Sequence, residues 1–156
     1  MLLRAVLNFL LLPGLFAGVA PWLLAAGDPW QRPGLLVGAL PFGAGWALVV
    51  WCVRDFYVAG RGTLAPWAPP QRLVVVGAYR YVRNPMYVGA LGVIGGTALL
   101  AGSPVVAAYA LVAAVAFHLR IVLYEEPHLG QLFPADWARY RAAVPRWRPR
   151  LNPWHG

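Results

Sequence analysis

Glu125 and Glu126 are two of only five acidic residues in the chain, and they stand side by side. Well upstream, the stretch YRYVRNPMYVG, residues 79–89, brings Arg80, Arg83, an Asn84-Pro85 step, Tyr87 and Gly89 to the point where a polar loop runs into an apolar helix. A helix that opens with Asn-Pro offers free backbone N–H groups and the positive end of its dipole, which suit a carboxylate. Paired glutamates suit an ammonium or a set of hydroxyls. A ligand that is both cation and anion would fit between the two stretches. Arg120 lies about one turn before the acidic pair inside an apolar run, where an unpaired charge is costly, so it is a site candidate by default.

Helical spacing places His118, Val122, Glu125 and Leu129 on one stripe and Arg120 with Tyr124 on another. Pro127 is expected to keep Glu126 from continuing as a regular helix. A plainer reading stands beside this one. The acids would neutralise arginines at headgroup level, Arg83 would be an anchor, Pro85 a first-turn residue, Tyr81 and Tyr87 interfacial aromatics, and Gly89 a packing residue.

Other chemistries find little support. The only serine is Ser103, in a hairpin turn, which removes serine-nucleophile chemistry. Cys52 is the single cysteine, inside an apolar run, and can form neither an internal disulfide nor a thiol-metal site. His118, His128 and His155 show no metal-ligand spacing, so no metal is expected. The net charge of +8 comes from arginines beside apolar runs, as orienting charges do, and no nucleic acid partner is expected.

The elements that must position these residues are membrane spans. Hydrophobic residues make up 60% of the 156-residue chain against 12% charged, more apolar surface than one soluble domain can hide. A single all-α domain over residues 1–156 is expected, an integral membrane bundle of about four transmembrane helices. Span one is 5–26, whose length exceeds a signal-peptide apolar region, although Arg4 before it and small residues at its end allow a cleaved signal as the alternative. Span two is 33–53, with Pro41 as a kink. From Asn84 to Leu119 no Asp, Glu or Arg occurs; as one helix that run would extend about 54 Å against a core of about 30 Å. It must fold back, and the AGSP turn at 101–104 divides it into span three, 85–101, and span four, 104–124.

Arg54, Arg61, Arg72, Arg80 and Arg83 lie between spans two and three, and Arg139, Arg141, Arg146, Arg148 and Arg150 follow span four. The loop 58–84 and the tail 127–156 are therefore expected to be cytoplasmic, with both termini inside and the protein in the cytoplasmic membrane. In the tail, Trp137, Tyr140 and Val144 share one helical face, read as an interfacial helix on anionic lipid or, second, as a cap on the site.

Taken together, GRGTLAPWAPPQRLVVVGAYRYVRNPMYVG and EEPHLGQLFPADWARYRAAVPRWRPR resemble the isoprenylcysteine carboxyl methyltransferase and phospholipid methyltransferase superfamily of integral membrane enzymes. The similarity runs over about residues 58–150. The resemblance implies S-adenosylmethionine as methyl donor, bound at the cytoplasmic face. By it, Gln71, Arg72, Leu73 and Val74, then Tyr79, would wrap the donor; Asn84, Pro85, Met86 and Tyr87 would line it at the helix start; and Glu125 would bind it from span four. Glu126 completes the acidic pair, and Arg120 stands near the position where relatives hold an arginine that orients the acceptor. Those two are the catalytic candidates. Many relatives have histidine where this chain has Asn84, which cannot titrate, and FPADW departs from the Phe-Gly common there.

Methyl transfer from a sulfonium is an in-line displacement, which needs donor and acceptor held aligned and dry but no nucleophile from the protein. The expected partner is a lipophilic small molecule or a lipid, an isoprenylcysteine-like carboxylate or a phospholipid amine. A carboxylate needs no general base; an amine would need Glu126 or a tyrosine to help remove a proton. Two other classes stay open: a non-catalytic relative that binds lipid or nucleotide, and a small channel or transporter subunit.

Overall fold

The computed structural model describes residues 10–59 and 73–156, and among them every regular element is helical. Helix α1 begins as a wide π-helical stretch, Leu10–Val19, and tightens into an α-helix over Ala20–Ala26. A single 3-10 turn, Leu36–Gly38, leads into α2, Ala39–Ala59. Helix α3 spans Pro85–Ala101 and α4 spans Pro104–Arg120. A π turn, Ile121–Glu125, joins α4 to α5, Glu126–Leu132, and α6 follows as Pro134–Ala143.

Two of these stretches, Leu36–Asp55 and Pro104–Leu132, are long and apolar enough to cross a membrane; Gly14–Ala26 and Pro85–Ala101 are shorter apolar helices. Only 22% and 17% of an apolar 18-residue segment within the two longer stretches is buried inside the protein. Leu111, Val115, Leu119 and Leu123, one turn apart along α4 and the π turn, are all exposed. A water-soluble fold would turn such a stripe inward.

Helix α3 is the hub, packing on α1, α2 and α4. Its approach to α2 is backbone to backbone. A Cβ on Gly45 would lie 2.6 Å from the Gly89 carbonyl oxygen, and one on Gly96 would lie 2.5 Å from the Phe42 amide nitrogen. Small residues at such a crossing gain van der Waals contact over the whole interface, which is how helices associate where no hydrophobic force acts between them. Val93, Ile94, Ala98 and Ala101 of α3 then complete a core with Ala17 and Ala25 of α1 and Val106 and Ala113 of α4.

The AGSP turn folds as expected. Gly102 takes the left-handed conformation (φ 60°) that closes α3, and the Ser103 hydroxyl caps α4 by accepting from the Val106 N–H at 3.1 Å. Asp28 locks this end: it accepts from the Ser103 hydroxyl, the Trp30 N–H and the Val105 N–H. Arg32 N–H donates to the Gly102 carbonyl at 2.9 Å.

Three expected boundaries are corrected. The helix of span two neither starts at Pro33 nor ends at Val53: α2 runs to Ala59, because Arg54 and Asp55 mark a polarity boundary, not a break in the helix. Pro41 causes no mid-helix kink, since it stands in the first turn of α2, where its missing N–H costs nothing. Helix four does not stop at Tyr124. Pro127 is absorbed in the first turn of α5 and the preceding turn widens to π geometry, relieving the clash proline would make with the carbonyl one turn back. Glu126 itself is helical (φ −64°, ψ −44°), so its backbone does not open toward a ligand.

Candidate functional site

The opening of α3 and the closing turn of α4 meet. Tyr87 donates its hydroxyl to Glu125 Oε1, the same oxygen accepts from Arg120 Nε at 2.8 Å, and Arg120 Nε also lies 3.2 Å from the Tyr87 hydroxyl oxygen. Three residues from two distant stretches therefore close one ring of hydrogen bonds. The π turn makes it possible, because a turn of that width stacks residues five apart, whereas regular helical spacing puts Arg120 and Glu125 on different stripes. Phe117 lies against the Tyr87 ring at 4.7 Å, and the Arg120 guanidinium sits 5.6 Å from the Tyr124 ring centre.

Glu126 belongs to a second cluster. Arg146 grips both its oxygens, Nε to Oε1 at 2.7 Å and a terminal nitrogen to Oε2 at 2.8 Å, and Arg83 stands 3.1 Å from Oε1. The hydrogen bond to Glu126 raises the Arg146 pKa above the usual guanidinium value, while burial pulls that of Arg83 below it. Arg83 also lies over the Trp137 ring, 5.4 Å from its centre. Arg146 is a residue that sequence reasoning passed over as an orienting charge. The available signal was its place directly after Val144-Pro145, in the second of the two stretches that carry the resemblance.

The tail closes over the loop before α3. Arg83 N–H donates to the Pro145 carbonyl at 2.9 Å, Arg150 N–H to the Tyr81 carbonyl at 2.9 Å, and Trp154 N–H to the Arg80 carbonyl at 3.0 Å. Trp137, Tyr140 and Val144 do share a face, but it is buried among Leu73, Val75, Leu129, Phe133 and Trp154. The expectation that this face lies on lipid is corrected: the loop, α5 with the turn after it, and the end of the tail together supply the apolar partners. Tyr140 donates its hydroxyl to the Tyr79 carbonyl at 2.7 Å, and burial raises its pKa, keeping it a neutral donor.

The remaining candidates are placed as follows. Asn84 stands at the N-cap of α3 without a side-chain cap bond; its amide donates instead to the Arg146 carbonyl at 3.2 Å. The Met86 and Tyr87 N–H groups thus receive nothing from the side chain of their cap residue. Pro85 is buried, and Met86 packs against Cys52, Val74, Ala78 and Tyr79. Val74 and Tyr79 turn inward in that cluster, and burial pushes the Tyr79 phenol well above its ordinary pKa. Leu73 faces the tail cluster. Gln71 and Arg72 lie outside the described residues, as do Arg4 and the whole stretch 60–70 with Arg61.

The residues present fit a zwitterionic ligand. Both bonds to Glu125 fall on Oε1, so Oε2 of this partly exposed carboxylate keeps acceptor capacity, and the uncapped start of α3 lies one turn away through Tyr87. A family model described as phospholipid methyltransferase matches residues 34–136. That match takes in α2, α3, α4, the first motif and the opening of the second, and leaves the tail from Trp137 onward outside. No curated protein and no solved structure matches the chain.

Proposed function

The chain belongs to the phospholipid methyltransferase family, and from that premise we propose that it transfers a methyl group from S-adenosylmethionine to a lipophilic acceptor at the cytoplasmic face of a membrane. The observation that carries this reading is the Tyr87–Glu125–Arg120 ring, which joins the two motifs. When bound, S-adenosylmethionine supplies an electrophilic methyl group on sulfur.

Every other requirement falls to the chain. Glu125 accepts ammonium or hydroxyl hydrogens from the donor through Oε2, while Tyr87 and Arg120 fix its orientation through Oε1. The start of α3, with Asn84, Pro85 and Met86, receives the donor's carboxylate in its dipole field. The loop that carries Gln71, Arg72, Leu73, Val74 and Tyr79 wraps the donor. Arg120, half exposed beside the apolar wall of α4, keeps Nε on Glu125 and offers its terminal nitrogens to an anionic part of the acceptor. Glu126 has both oxygens taken by arginines, so its part is to anchor the helix end and the tail. For an amine acceptor the proton then falls to Glu125, directly or by relay through the Tyr87 hydroxyl.

Helices α1 to α4 serve as the four spans. The Arg-rich loop and tail support a cytoplasmic side for the site, and the acceptor enters laterally from the bilayer. Incubation of membranes containing the protein with methyl-labelled donor tests this. Label in lipid is expected, absent in Glu125→Ala membranes. Release by mild base identifies an ester and resistance identifies an amine; no label in any lipid fraction would reject the reading.

A further inference from the structure

Asp55, near the end of α2, has no part in either cluster. Its side chain is only 8% exposed, and its Oδ2 is covered without a hydrogen-bond partner among the described residues. The cation beside it, Arg54, stands 3.6 Å from Oδ1 on a side chain 73% exposed, beyond hydrogen-bond range and well solvated. A carboxylate withdrawn from water without compensation opposes folding.

The loop before α3 is shaped around this group. Gly77 has a φ of +52°, a conformation few side chains tolerate, and any Cβ there would run into Asp55 Oδ2 and come within 2.8 Å of the Trp51 indole nitrogen. Trp51 and Asp55 lie one turn apart on α2. One turn earlier on the loop side, Cys52 packs with Val74, Ala78 and Tyr79. The carboxylate thus approaches, from beneath, the loop that the methyl-transfer reading assigns to the donor. Two features unfavourable in the isolated chain, an unmatched buried charge and a left-handed glycine pressed against it, coincide at one point. A cationic hydrogen-bond donor would satisfy the first, and only glycine at 77 leaves the carboxylate its place, since a Cβ there would displace it. The carboxylate end of Asp turns easily about its last side-chain bond, so either oxygen can meet such a group.

We infer that Asp55 is a binding residue for a ligand ammonium, reached under the Gly77 loop. The inference rests on the methyl-transfer reading. Two sources share this chemistry: the ammonium of the methyl donor's amino-acid part, and the amine headgroup of an aminophospholipid.

The test compares wild type with Asp55→Asn, purified in detergent. One arm titrates S-adenosylhomocysteine, which keeps the ammonium, by calorimetry. The other measures the thermal shift produced by a short-chain phosphatidylethanolamine against phosphatidylglycerol, which lacks the amine. Ligand-free Asp55→Asn is expected to melt at or above wild type, since an unmatched buried charge is gone. In one arm it should lose at least about tenfold in affinity or most of the shift. Loss in the first arm assigns the donor; loss in the second assigns the headgroup. A variant that matches wild type in both arms, or that melts clearly lower without ligand, overturns the role of Asp55 alone. Wild type that responds in neither arm overturns the methyl-transfer reading with it. Should the Asn variant not fold, Asp55→Glu carries the test: the charge displaced by one methylene should weaken the same arm severalfold, and unchanged binding rejects the assignment.

Discussion

Replacing Arg146 with glutamine removes the charge and the two-point grip on Glu126 while keeping most of the side chain's bulk. Fully exposed ion pairs contribute about 0–1 kcal/mol, and breaking a fully buried one costs about 3–5 kcal/mol. The pair here lies between those limits: the side chains are 17% exposed for Glu126 and 30% for Arg146, and Arg83, 11% exposed, remains 3.1 Å from the carboxylate. A loss of about 1–2 kcal/mol follows from that position between the exposed and buried cases. In a chain of this size it corresponds to about 3–6 °C in melting temperature. Tryptophan fluorescence during thermal unfolding in detergent reads it directly. Arg148→Gln is the control, an exposed arginine on the same tail, expected to stay within about 0.5 kcal/mol of wild type. Glu126→Gln should cost more than Arg146→Gln, because it leaves Arg83 and Arg146 facing each other without their counter-charge, and the double variant should show clear coupling. If Arg146→Gln melts with wild type and with Arg148→Gln, the tail is not held by this pair, and the anchoring role given to Glu126 is wrong.

Tyr87→Phe deletes the hydroxyl that orients Glu125, and a hydrogen bond to a charged group at about 1.5 kcal/mol translates to roughly tenfold weaker donor binding by calorimetry; unchanged affinity would separate Tyr87 from the donor site. Gly96→Val places a Cβ 2.5 Å from the Phe42 amide nitrogen, so α2 and α3 must part, and loss of folded protein in detergent chromatography is expected. Ser103→Ala removes the cap of α4 and a donor to Asp28; a destabilisation of about 1–2 kcal/mol at the end far from the site should lower the melting temperature while leaving donor affinity unchanged.

Local signals carried much of the fold. Asn84-Pro85 opens α3 and Gly102-Ser103-Pro104 turns the hairpin because glycine, proline and a capping serine act on their immediate neighbours. What depends on distant partners was harder to read. Arg120 and Glu125 meet through a π turn, which no regular helical stripe anticipates, and Pro127, which causes the wider turn, reads in sequence as a helix stop. The apolar face of α6 was legible as a face, yet its partner, the loop from Leu73 to Val75, was not. Arg146 carries the same charge as its orienting neighbours, and only the fold shows that it ends on Glu126.

Titration of the purified wild-type chain with S-adenosylhomocysteine, beside Glu125→Ala, tests the central claim most directly. Saturable binding near one site per chain is expected for wild type and none for the variant. Equal binding by both would contradict the placement of the donor between the start of α3 and the end of α4, and no binding by wild type would contradict the use of such a donor at all.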